Sequence, residues 1–262
     1  MNRSATEKPG RHFSQDEATP GLDVIIPVYN ESGEVVRQTV DGVKFSLAKR
    51  GSFRIIVVDD GSSAPCLLQC PDPLVTVVRH EKNRGYGRAL KTGIENGSAP
   101  LIAIIDADGS YPAGDMARLA ELMNVSDMVV GTRNGPVVEE FPLRVFLKRG
   151  LNLAASVLTG SPITDLNSGM RVFSRELCLR FWDHYPEGFS FTSTITMGAV
   201  FGGFRVTNVP INYYRRVGQS SVRLLRDSFL MAVKLIRLTY VFRFRKNPRR
   251  NAPLPGTRRP FP

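Results

Sequence analysis

Three cysteines, three histidines and one tryptophan in 262 residues leave little with which to staple a small extracellular fold. Cys66, Cys70 and Cys178 are an odd set, and none makes a close thiol pair with nearby histidines. That excludes a disulfide framework and a structural zinc site, and points to a reducing compartment. No uncharged run reaches the roughly 18–20 residues that span a bilayer. The opening stretch, MNRSATEKPGRHFSQDEATPG, has no apolar h-region. No signal peptide is therefore expected, and residues 1–20 are expected to be disordered in a chain that stays on the cytoplasmic side. No G-x-G-x-x-G follows the first strand, where IPVYNESG stands instead, which argues against a dinucleotide oxidoreductase. Zinc-finger spacing, RNA-binding aromatic motifs and internal repeats are also missing, so no nucleic acid is expected as a partner.

Negative charge is scarce in one place only. From Arg215 to Pro262 there are 13 Lys+Arg against the single Asp227, a balance of +12; with +11 overall, the other 214 residues come to −1. An anionic surface is therefore met at the C-terminal end, and a membrane suits it better than nucleic acid. SVRLLRDSFLMAVKLIRLTYVFRFRK (221–246) carries Arg223, Arg226, Lys234 and Arg237 at helical spacing, with Tyr240, Phe242 and Phe244 near its end. It is expected to be a basic amphipathic helix lying at the interface of an anionic membrane, or packed on the body of the protein or a subunit partner, or both with different faces. The Pro/Arg-rich tail, 247–262, is expected to be disordered.

Between these ends, apolar strands alternate with helices. LDVIIPVYN (22–30) reads as a strand and ESGEVVRQTVDGVKFSLAK (31–49) as the helix behind it; FRIIVVDDGSS (53–63) repeats the strand. LVTVVRH (74–80) precedes NRGYGRALKTGIENG, a glycine-containing turn into a helix, and LIAIIDADG supplies a fourth strand. Residues 126–133 read as a strand, 141–160 as a helix, MRVF as a short strand, and SRELC as a helical start capped by Ser174. FSFTSTITMGAVFGG then reads as a helix and FRVTNVPINYYR as a strand. The order implies an α/β fold, a Rossmann-like mostly parallel sheet whose ligand site lies beyond the carboxyl ends of the strands.

The stretch IIDADGSYP (104–112) carries the most chemistry, because Asp106 and Asp108 end an apolar run at spacing i, i+2. On a strand that spacing puts both carboxylates on one face. Two anions so close call for a cation, a proton or an arginine; a hard ion, Mg²⁺ or Mn²⁺, could there hold a diphosphate as leaving group. The alternative is an Asp-rich turn that merely ends a strand. Asp59 and Asp60 point to opposite sides of their strand end, so only one is expected to meet a base or ribose. Pro27 suits a strand end, Tyr29 offers a ring for stacking and Glu31 an acceptor beside it. Gly85 and Gly87 permit close backbone approach, with Arg84 and Arg88 available for a phosphate or an acid.

In series, IPVYNE (26–31), VVDDGS (57–62), NRGYGRAL (83–90), DAD (106–108), GTR (131–133), DLNSGMRVF (165–173) and VPINYYRRVGQS (209–220) resemble the inverting family-2 glycosyltransferases of GT-A fold. Within that family they resemble the polyprenyl-phosphate, dolichol-phosphate mannose synthase-like group, from about Leu22 to Arg223. The resemblance implies a single GT-A (nucleotide-diphospho-sugar transferase) domain over 21–220. It implies that the first strand end and VVDDGS hold the nucleoside of a GDP- or UDP-sugar, and that Asp106 and Asp108 hold the metal and diphosphate. Gly85, Gly87, Arg88 and Arg133 would flank the donor, and Arg216 and Arg223 would clamp phosphates. Asp165 would be the base or acceptor-orienting carboxylate. Arg171 would counter a phosphate, or else pair structurally with Asp165. The implied reaction moves a sugar with inversion onto a polyprenyl phosphate at the cytoplasmic face; the alternative is a same-fold enzyme acting on a glycan or other non-prenyl acceptor. A homo-oligomer is left open.

The sequence makes three departures from the family pattern: Ser110 where D-A-D-x-Q has glutamine, Ser221 where a lysine is common, and Ser193 with Thr194 in the neighbourhood of a missing helical carboxylate. They put the sugar and the acceptor in doubt more than the fold.

Overall fold

The computed structural model describes residues 21–64, 72–133, 142–215 and 224–244. Strands β1 (Leu22–Val28), β2 (Phe53–Asp59), β3 (Val75–Arg79), β4 (Leu101–Ile104), β5 (Met128–Arg133), β6 (Arg171–Ser174) and β7 (Val206–Ile211) form one sheet in the order β3-β2-β1-β4-β6-β5-β7. All pairings are parallel except those of β6, which runs antiparallel to β4 and β5. Helices are α1 (Gly33–Leu47), α2 (Tyr86–Glu95), α3 (Met116–Glu121), α4 (Pro142–Thr159), α5 (Arg175–Arg180), α6 (Phe191–Phe201) and α7 (Leu224–Phe244).

β1, β2 and β4 are apolar on both faces because both are covered, as a buried parallel sheet requires. Val24, Ile26 and Val57 join α1 and α3 on one side; Ile25, Ile56 and Ile104 join α2, α5 and α6 on the other. Caps fall where side-chain oxygens are available: Ser32 accepts from Val35 N at the start of α1, and Ser174 from Leu177 N at the start of α5. α6 is buried on nearly every side, which is why FTSTITMGA shows no polar stripe. The reversed β6 brings chain 165–170 in over the carboxyl edge of the sheet, since Arg171 opens the strand opposite Ile104 and Val130.

α7 packs on the body of the protein with one of its faces. Leu235 and Leu238 are buried with α4 and α6, yet Phe229, Leu230, Val233, Ile236 and Tyr240 are exposed. Apolar residues thus lie on both sides of the helix, one stripe spent on packing and the other facing outward. Residues 1–20 and 247–262, Cys66, Cys70, Arg216, Ser221 and Arg223 lie outside the described residues. Cys178 is buried and unbonded to another cysteine, its thiol pushed up to about 12 chiefly by burial.

Candidate functional site

The carboxyl edge of the sheet gathers the acids. Pro27 is the penultimate residue of β1, in register with Val58. Beyond it Asn30 adopts φ 55°, donating its N–H to Ser62 Oγ (2.9 Å) and accepting from Ser63 N at Oδ1 (2.9 Å). The two loops are thereby tied together, leaving Tyr29 47% exposed at the mouth and Glu31 half-buried. Asp59 ends β2: its Oδ1 accepts from Ser62 N (2.9 Å), and its Oδ2 lies 3.3 Å from Arg79 Nη1, in register on β3. Asp60 faces elsewhere. Its Oδ1 meets His80 Nδ1 (2.6 Å) and Arg84 N (2.9 Å), and its Oδ2 accepts from Gly85 N (2.8 Å). His80 is braced in turn by Thr92 Oγ1 on α2.

The glycines of NRGYGRAL allow a close approach of chain 186–188. Gly85 has φ +98°, and a Cβ there would stand 2.7 Å from Glu187 O; a Cβ on Gly87 would collide with Pro186 O. The space is taken by chain 186–188, whose carbonyls cap the first turn of α2: Gly87 N donates to Gly188 O (3.1 Å) and Arg88 N to Glu187 O (2.9 Å). Arg88 has turned to carboxylates, Glu95 at 3.1 Å and Glu187 at 3.9 Å, rather than into the acid cluster.

Asp106 and Asp108 also differ from expectation in their setting. β4 ends at Ile104, so alternation along a strand does not orient them; they sit in the following turn. Asp106 Oδ1 accepts from Tyr86 Oη at 2.9 Å, while its carboxylate lies so close to Gly169 that any side chain there would collide with it. Gly169 N donates to Tyr111 Oη at 2.6 Å. Asp108 Oδ1 accepts from Ser110 N and Oγ, so the serine at the family's glutamine position is turned onto the acid itself. Among the described residues no three His, Cys, Asp or Glu gather into a cage for a metal. Two carboxylates in one turn nevertheless fit a hard ion of the Mg²⁺ kind, which keeps waters and is completed by substrate phosphates.

Asp165 faces the same edge, but its partner is Arg133, not Arg171. Arg133 Nε and Nη2 each donate to it at 2.7 Å, and the Arg133 N–H at 3.1 Å. Burial opposes the ionised carboxyl, but the Arg133 hydrogen bonds and charge outweigh it and hold the pKa below the usual carboxylate range. The guanidinium also lies over the Tyr213 ring, 5.2 Å from its centroid. Arg171 is fully buried, and its N–H groups reach the carbonyls of Leu166, Ser168 and Thr192 and the hydroxyl of Thr196. It braces 166–168 against α6, a geometry that leaves it no contact with a phosphate at the edge. Ser193 and Thr194 are buried and bond back to Ser190 O within α6.

Tyr86, Tyr111, Gly169 and His80 are the residues that sequence reasoning passed over. A signal existed for the tyrosines: each sits inside a polar motif, where an aromatic with a hydroxyl needs a partner once buried.

A family model described as Glycosyl transferase family 2 matches residues 23–182. A dolichyl-phosphate beta-glucosyltransferase of Saccharomyces cerevisiae is 25% identical over 264 residues, covering 89% of this chain and 79% of that protein. A polyprenol monophosphomannose synthase of Mycolicibacterium smegmatis is 30% identical over 210 residues, covering 74% and 77%. Among solved structures, glucosyl-3-phosphoglycerate synthase from Mycobacterium tuberculosis, crystallised with Mn²⁺, UDP and glucosyl-3-phosphoglycerate, matches with a TM-score of 0.60 at 20% identity, covering 86% and 81%. That likeness is one of fold, the GT-A arrangement of a single mixed α/β domain.

Proposed function

The chain belongs to glycosyl transferase family 2, and from that premise we propose that it transfers a sugar, with inversion, from a UDP- or GDP-sugar to a polyprenyl phosphate. The observation that carries the choice of acceptor is the clasp on Asp165. A carboxylate that takes three N–H donors from Arg133 and has a lowered pKa is a poor general base. A glycan hydroxyl needs such a base. A phosphate monoester, with a second pKa near 6, arrives ionised at neutral pH and needs none. Similarity to lipid-phosphate transferases of yeast and mycobacteria supports the same reading.

In the step proposed, an acceptor phosphate oxygen forms a bond to the anomeric carbon. The bond from that carbon to the diphosphate oxygen breaks with its electron pair leaving on the diphosphate. Asp106 and Asp108 would hold Mg²⁺ or Mn²⁺, which when bound neutralises charge on the departing nucleoside diphosphate. Asp59 or Asp60 and the Tyr29 ring at the mouth would receive the nucleoside. Arg133 and Asp165, locked to each other, would shape the acceptor side without exchanging a proton. Arg216 and Arg223 remain proposed phosphate clamps.

A lipid acceptor places the enzyme at a membrane, and we assign it a peripheral position on the cytoplasmic face. No helix among the described residues is long and apolar enough to cross a bilayer. Phe229, Leu230, Val233, Ile236 and Tyr240 are exposed on α7 beside exposed Arg237 and Arg243, and Phe146, Leu153 and Val157 on the adjoining α4. Aromatics with cations suit anionic headgroups. Labelled UDP- and GDP-sugars offered with a short polyprenyl phosphate and Mn²⁺ provide the test. Label is expected in the organic phase with release of nucleoside diphosphate. Label that stays in the aqueous phase on a soluble glycan would transfer the assignment to the other acceptor class.

A further inference from the structure

We propose that Tyr86 is a positioning residue for Asp106, fixing the carboxylate in the orientation that receives the divalent cation. The inference rests on the metal reading above. With β4 ending at Ile104, strand geometry does not orient Asp106, and its direction must be set by neighbours. Tyr86 supplies one: its hydroxyl donates to Oδ1 at 2.9 Å. The backbone at Gly169 bounds the carboxylate from another side.

Tyr86 is itself held on three sides. It opens α2 directly after Gly85, whose N–H and that of Arg84 are fastened to Asp60. The next two N–H groups, of Gly87 and Arg88, are fastened to the carbonyls of 188 and 187. Lys91 adds an ion pair to Glu187 at 3.1 Å. The Tyr86 ring stacks on Phe189, with centroids 6.4 Å apart and planes 16° from parallel. A phenol, with an ordinary pKa of about 10, is a proton donor at neutral pH. One rigid turn thus links the acid of the second strand end, the first acid of the DAD turn and chain 186–189. Groups that orient a metal's ligands in this way are typically worth about 10–100-fold in metal affinity or activity.

Tyr86→Phe removes only the hydroxyl, so it separates positioning from packing. Mn²⁺ affinity is read from the electron paramagnetic resonance signal of free Mn²⁺ with saturating UDP, and in parallel GDP, on the full chain; thermal melting and nucleotide binding in chelator are followed beside it. The variant is expected to weaken Mn²⁺ binding about tenfold while melting and chelator-phase nucleotide binding stay at parental values. Asp106→Asn is run alongside. If Asp106→Asn weakens Mn²⁺ and Tyr86→Phe does not, the positioning role is overturned and the metal reading stands; if Asp106→Asn leaves Mn²⁺ binding intact, both fall. Should Tyr86→Phe melt without cooperativity, Phe189→Leu takes its place. It keeps the hydroxyl but removes the ring that steers it, and unchanged Mn²⁺ affinity would then overturn the proposal.

Discussion

Replacing Asp165 by asparagine isolates the clasp on which the acceptor assignment depends. The Arg133 side chain is 13% exposed and that of Asp165 3%, with two N–H donors at 2.7 Å and a third at 3.1 Å. Removing one member of a buried pair strands the other charge, at a cost of about 3–5 kcal/mol. The asparagine oxygen still accepts one N–H, and the Tyr213 face still meets the guanidinium, so the lower end, about 3 kcal/mol, is expected. For a chain of this length each kcal/mol moves Tm by roughly 2–4 °C, so a fall of about 6–12 °C follows. Urea denaturation followed by circular dichroism measures it. The double variant Arg133→Met/Asp165→Leu should lose at least about 1 kcal/mol less than the single one, because no charge is left stranded.

The pH dependence has a definite sign. The folded pKa of Asp165 lies below its unfolded value near 3.9, so its stabilisation is present above about pH 4 and is lost as pH falls through the folded value. Parent and Asp165→Asn stabilities should stay separated above that pH and converge below it. With a polyprenyl phosphate acceptor, turnover at a temperature where the variant is folded should fall less than tenfold. A loss of the 10²–10⁴-fold typical of general-base removal, or a destabilisation under about 1 kcal/mol, would refute the account of Asp165 as a clasped, non-basic carboxylate.

Asp106→Asn and Asp108→Asn should each cut turnover at least tenfold through lost hold on the cation; activity that survives both variants, or exhaustive chelation, would remove the metal step. Asp59→Ala and Asp60→Ala should both weaken nucleoside diphosphate binding by calorimetry, with a clearly larger effect at one, since their carboxylates face different partners; equal affinity in all three proteins would place the nucleotide elsewhere. Gly87→Ala should destabilise by about 1–3 kcal/mol, because its Cβ would meet the Pro186 carbonyl and push chain 186–188 off the first turn of α2. A melting temperature equal to the parent's would mean that this contact is readily given up.

The strands and most helices were legible because their signals are local. Both-face burial of β1, β2 and β4 writes itself as runs such as DVIIPV and RIIVVD, and Ser174 marked the start of α5 by its own capping oxygen. The site was legible by composition, not by partnership. Asp106 and Asp108 were found, but the strand-face reason given for them fails because β4 stops two residues before the first acid. Glycines 85 and 87 were noticed as close-approach positions, yet what approaches is a carbonyl chain about 100 residues further on. Asp165 drew attention with Arg171 at i+6, whereas its partner, Arg133, comes from β5 across the sheet. Periodicity reports which face a residue takes, and long-range pairing is invisible to it.

That pairing also bears on how tightly the acids could grip a cation. Asp106 gives one oxygen to the Tyr86 hydroxyl, and Asp108 gives one to Ser110 N and Oγ. A hydrogen bond to an ionised carboxylate draws on the same negative charge that a cation would use, so each acid is oriented at some expense to its pull on a hard ion. A glutamine at position 110 would extend an amide oxygen as a further ligand; the serine, turned back on Asp108, steadies the acid instead. On the proposed reading the chain offers an orienting pair of carboxylates rather than a strong cage, and the diphosphate supplies the missing oxygens. Cation and donor would then bind as one unit, each with low affinity alone, and the leaving diphosphate would depart with its charge already matched.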